Sequence, residues 1–168
     1  MALIIETGAL IANANSYVTV VEARAYALAR GVTLSATDSD VERYLVLAMD
    51  YLESLRAKFQ GTKVSSTQSL QWPRTDVLID CIEFPETSIP VELKNAQMQL
   101  AMQVSNGVDL MPTRQGAFVK LEKVGPIETQ YSEKIGTGLT PDMTAVDMLI
   151  APLLSSCGQS FALKSVRV

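Results

Sequence analysis

The sequence predicts a mainly α fold: a small helical bundle carrying a β-hairpin and extended N- and C-terminal strand arms. Three observations predict it. Apolar residues recur at three- and four-residue steps over 40–59 and again over 90–106. Residues 117–131 alternate apolar and polar about Gly125-Pro126 with period two. Short apolar runs stand near both ends, at 3–12 and 160–168, and read as strands or arms.

Leu3-Ile4-Ile5 and Ala9-Leu10-Ile11, parted by Gly8, read as the N-terminal arm, and Asn13 to Ser16 as a polar turn. Thr19-Val20-Val21-Glu22 has capping-box spacing: the Thr19 hydroxyl accepts from the third helical amide, and Glu22 reaches back. The helix it opens runs to Arg30, and Gly31 supplies the left-handed stop. Ser39-Asp40-Val41-Glu42 reads as a second capping box, and acids at 38 and 40 favour the positive helix end. From there Val41, Tyr44, Leu45, Ala48, Leu52, Leu55 and Phe59 form one apolar stripe. Glu42, Arg43, Asp50, Glu53 and Arg56 mark the wet side, and Gly61 ends the helix.

Residues 62–89 hold no long periodic segment. Val64 to Gln68 read as a Ser/Thr-rich loop, and Val77 to Phe84 as a short strand ended by Pro85. A third helix starts with Pro90 at its first position and stops at Gly107. In the hairpin, Val119 and Leu121 alternate with Lys120 and Glu122; Ile127, Thr129 and Tyr131 alternate with Glu128, Gln130 and Ser132. A loop marked by Gly136 and Gly138 follows. Thr140-Pro141-Asp142 opens a last helix, with Thr140 capping, and Pro152 breaks it. The tail alternates Phe161, Leu163, Ser165 and Arg167 with Ala162, Lys164, Val166 and Val168. It reads as a strand paired within the domain, or as an arm added to a partner.

The length, 168 residues, suits one domain, 1–168, with a helical core at about 19–111, the hairpin at about 117–132 and a C-terminal helix and arm at about 140–168. There is no histidine, which excludes Ser-His-Asp and Cys-His nucleophiles and His-ligated zinc. Cys81 and Cys157 form no CxxC motif and read as reduced thiols. No acidic cluster or phosphate loop stands out, so no enzyme, cofactor or metal is expected. No apolar run approaches a membrane span, and Met1 to Glu6 lack a basic leader. The net charge is −4, and the bases read as scattered, which predicts against tight non-specific DNA binding.

The single tryptophan stands in Leu70-Gln71-Trp72-Pro73-Arg74-Thr75. Pro73 holds Trp72 extended, and Arg74 follows with its planar fork of donors. Trp72, Pro73 and Arg74 read as a structural anchor closing the core, with a partner hot spot as the alternative.

Four pieces, Ala14-Asn15-Ser16-Tyr17-Val18, Gln71-Trp72-Pro73-Arg74-Thr75, Val124-Gly125-Pro126-Ile127-Glu128 and Ala145 to Leu154, together carry a resemblance over nearly the whole chain. They resemble a family of small proteins of tailed bacteriophages and prophages, labelled DnaT-like single-stranded-DNA-binding proteins, that looks like the head–tail connector or neck adaptor. The resemblance implies a structural protein of the virion neck, made in the host cytoplasm. It implies a ring of about twelve copies, as cyclic assembly through heterologous contacts allows. Its partners would be the portal, a tail terminator or other neck protein, and double-stranded DNA passing through the channel without specific binding. Contacts with neighbours would come from Val119, Leu121, Ile127 and Tyr131 of the hairpin and from Phe161, Leu163, Lys164, Val166 and Arg167 of the tail. The label itself implies the alternative: a single-stranded-DNA-binding replication accessory protein.

Overall fold

The computed structural model describes residues 2–112 and 143–154, together with the backbone pairing of 121–124 and 127–130. The fold is mainly helical with a minor β component. Four helices, α1 (Val20–Leu28), α2 (Asp38–Ser54), α3 (Val91–Ser105) and α4 (Thr144–Leu154), are accompanied by three two-stranded antiparallel pairs among the described residues. These are β1 (Thr62–Lys63) with β2 (Arg74–Thr75), β3 (Leu78–Ile79) with β4 (Ile82–Glu83), and β5 (Leu121–Val124) with β6 (Ile127–Gln130).

The central helix is α3, which packs on α1, α2 and α4. Its burial fits that place. Leu93, Ala96, Leu100 and Ala101 are fully buried, and Met98 and Met102 nearly so, because a helix with neighbours on several sides needs apolar residues on more than one stripe. By contrast α2 is one-sided, with Val41, Leu45, Ala48, Met49 and Leu52 facing the core. The capping box of α1 forms as its spacing predicts: Thr19 Oγ1 accepts from Glu22 N at 3.2 Å and Thr19 N donates to Glu22 Oε2 at 2.7 Å.

Several expectations are corrected. The second capping box does not form: α2 begins at Asp38 with Thr37 at the N-cap, so Ser39 falls inside the first turn. The preceding loop is held from elsewhere. Arg24 donates to Ser35 O and Ala36 O and pairs with Asp38 at 2.6 Å. Helix α2 ends at Ser54, well before Gly61, and Phe59 is buried from the turns that follow. Pro90 is the N-cap of α3 rather than its first helical residue. The expected strand at 77–84 is a tight hairpin, β3–β4, reversed at Asp80 and Cys81, which both take positive φ. Cys81 is disulfide-bonded, not a free thiol; the chain's other cysteine, Cys157, lies outside the described residues. The N-terminal arm is no strand: Ile5 and Ser16 form one isolated parallel bridge.

Helix α4 runs from Thr144 to Leu154, through Pro152 instead of breaking there, and the expected cap at Thr140 with Pro141 and Asp142 lies outside the described residues. Pro152 lies in the last turn, where carbonyls lack intrahelical partners and need outside donors. Gln60 supplies them, donating from Nε2 to Pro152 O at 2.7 Å and from its backbone N to Leu153 O at 3.1 Å. The β5–β6 register pairs Leu121 with Gln130 and Val124 with Ile127. Positions 121 and 127 therefore fall on opposite faces of the pleat.

Candidate nucleic-acid interface

The loop between α2 and β3 is built around the tryptophan. Trp72 is fully buried, with Phe59 and Phe84 in T-shaped pairs with its ring at centroid distances of 5.9 and 6.3 Å. The Trp72-Pro73 peptide bond is cis. Trp72 N donates to the Tyr17 hydroxyl at 3.1 Å, and Tyr17 N in turn donates to Gln97 Oε1 at 3.0 Å. Gln97, fully buried on α3, also donates to Ser16 Oγ and Leu45 O. Two motifs 55 positions apart, Asn15-Ser16-Tyr17 and Gln71-Trp72-Pro73, thus interlock over the centre of α3. Burial pushes the Tyr17 phenol well above its ordinary value, and the Glu53 charge adds to the effect.

Arg74 is committed inward. Its Nε donates to Gln60 O at 2.8 Å, Nη2 to Gly61 O at 2.7 Å, and Nη1 to Gln71 Oε1 at 3.2 Å. Burial pulls its guanidinium below the ordinary arginine value, while Tyr17 and Glu53 act the other way. Gly61 has φ +68°, and a Cβ there would lie 2.0 Å from Thr75 O, so only glycine lets the two arms of the loop approach.

What faces outward is different in character. From Ser54 to Thr75 the sequence holds Arg56, Lys58, Lys63 and Arg74 and no acid. With Arg74 turned inward, three cations remain. The side chains of Arg56 and Lys58 are exposed and make no hydrogen bond or ion pair among the described residues. Lys63 Nζ reaches Gln68 O at 3.1 Å. In the same window Thr62, Ser66, Thr67 and Ser69 present exposed hydroxyl side chains, and Ser65 Oγ and Thr67 Oγ1 lie 3.0 Å apart. The bases, expected to be scattered, are here gathered in a window without an acid.

Two acids border it. Asp76 follows β2. Glu53, expected on the wet face of α2, is instead largely buried; its Oε1 accepts from Gln71 N at 2.9 Å. Burial raises its carboxyl above the ordinary range, against the pull of the Gln71 hydrogen bonds, Lys63 and Arg56. Arg56 and Lys63 thus both act on the Glu53 carboxyl.

A model of the family described as "Putative DnaT-like ssDNA binding protein" matches residues 1–168. The chain belongs to this family. No curated protein matches, and no solved structure matches. The full-length match to the DnaT-like family overturns the neck-adaptor reading: the description it carries is single-strand binding, which stood as the alternative.

Of the residues singled out in the sequence, Trp72, Pro73 and Arg74 come together as a buried support beneath the basic loop. Leu121 and Ile127 lie in the β5–β6 pair, away from it in the chain. Val119, Tyr131, Phe161, Leu163, Lys164, Val166 and Arg167 fall outside the described residues. Sequence reasoning missed Glu53, Gln60 and Gln97, whose roles rest on contacts 18 to 92 positions away. It also missed Arg56, Lys58 and Lys63, although a charge count in windows of about 20 residues isolates them.

Proposed function

We propose that this chain binds single-stranded DNA through the outward face of the α2–β3 loop, with Arg56, Lys58 and Lys63 as the phosphate contacts. The observation that carries the reading is the coincidence of a full-length family match with an acid-free window of 22 residues, Ser54 to Thr75, anchored by the buried side chains of Trp72 and Arg74. Cations supply affinity by releasing the counterions condensed on the strand. Hydroxyl side chains such as Ser66 and Ser69 add donors to phosphate oxygens. The net charge of −4 repels polyanions at long range, so binding is local, modest and salt-sensitive.

The test is fluorescence anisotropy of a labelled oligothymidylate with wild type and the triple variant Arg56→Gln, Lys58→Gln, Lys63→Gln. Three lost phosphate contacts should weaken binding by at least about tenfold at low salt and flatten the salt dependence. Circular dichroism and the melting temperature confirm that the variant is folded. Equal affinity of the two proteins would remove the loop from the interface.

A further inference from the structure

Resting on that reading, we infer that the α2–β3 loop face holds the strand by its sugar–phosphate chain and, among the described residues, offers no aromatic platform on which bases stack. Single-strand binders commonly combine a basic track with aromatic side chains on which bases lie, and each stacked base contributes about five- to 150-fold in affinity. Such a platform must be exposed. Here none of the seven described aromatic side chains is. Trp72 and Phe59, the rings nearest in sequence to the cations, are buried against each other. Tyr17 is buried beneath Trp72 N, and Phe84 packs on Trp72 in a T-shaped pair.

The remaining tyrosines are half-buried on α1 and α2. Two of them are already covered. The Arg30 guanidinium lies 3.3 Å from the Tyr26 ring centroid, and that of Arg43 lies 5.1 Å from the Tyr44 centroid. The loop's outward side chains are cations and hydroxyls, which recognise phosphate oxygens and carry no base information. The ligand class is therefore a flexible polyphosphate-diester chain, whatever its bases.

The experiment compares the full chain binding an oligothymidylate and an abasic strand of equal length by anisotropy at low salt, while following Trp72 emission. Affinities within about fivefold of each other, with Trp72 emission unquenched at saturation, are expected, because one stacked base is worth at least that factor. An abasic strand weaker by more than fivefold, or quenching of Trp72, overturns the inference while leaving single-strand binding intact. Binding of neither strand sinks the functional reading and this inference with it.

Discussion

Gln97→Met isolates the contact that joins the two motifs to the helical core. Gln97 is fully buried, and methionine matches its length and its unbranched Cβ–Cγ stem, so packing is nearly conserved. Three polar contacts go. Leu45 O keeps its partner within α2, and Ser16 Oγ keeps its 2.7 Å bond to Val18 O. Tyr17 N has no second acceptor among the described residues, so a buried amide is orphaned. That penalty is about 1–3 kcal/mol, and with the weakened Ser16 contact the total should be about 2–3 kcal/mol. For a chain of this size the melting temperature should fall by about 4–12 °C. Urea unfolding followed by Trp72 fluorescence reads the change, since Trp72 N hangs on the Tyr17 hydroxyl. A loss below about 0.5 kcal/mol would refute the claim that this amide is what couples the motifs.

Glu53→Gln should tighten oligothymidylate binding by about two- to threefold, because a charge beside Arg56 and Lys63 is removed while the Gln71 N acceptor is kept. The same variant changes the pH profile of stability. Burial raises the Glu53 carboxyl, so its contribution is complete below the ordinary glutamate value of about 4.3 and is lost as pH rises through the folded value. The variant should therefore gain on wild type between acidic and neutral pH in urea titrations, and a constant difference would count against it. Arg74→Lys keeps the charge but cannot bridge Gln60 O and Gly61 O from a planar fork; it should cost about 1–3 kcal/mol in thermal unfolding. Gly8→Ala places a Cβ 2.0 Å from Thr87 O at φ +104° and should cost at least about 2 kcal/mol by the same measurement.

Local signals in the sequence were legible where the partners lie close in the chain. The Thr19–Glu22 box forms because both its donors and acceptors sit within one turn. The Ser39–Glu42 box has the same spacing and fails, because Arg24 fixes the 35–38 loop from 11 to 14 positions away and moves the helix start to Asp38. Pro152 reads as a breaker on propensity alone, yet Gln60, 92 positions earlier, satisfies the carbonyls of that turn. Tertiary contacts of this kind leave no periodic trace. The burial of Glu53 is hidden for the same reason: its partner, Gln71 N, reaches it across a loop.

The basic loop was hidden for another reason. A whole-chain charge of −4 is a sum, and binding depends on where the charges stand. Ser54 to Thr75 carries four of the fourteen Lys and Arg residues and none of the eighteen acids. Folding then divides those four, with Arg74 spent on the scaffold and the others left at the surface.

The salt dependence of wild-type affinity for an oligothymidylate tests the central claim most directly. Three phosphate contacts at about 0.7 counterions each predict a log–log slope of about −2, or about 20-fold weaker binding between 50 and 200 mM salt. A slope near zero, or no binding at 50 mM salt, would contradict it.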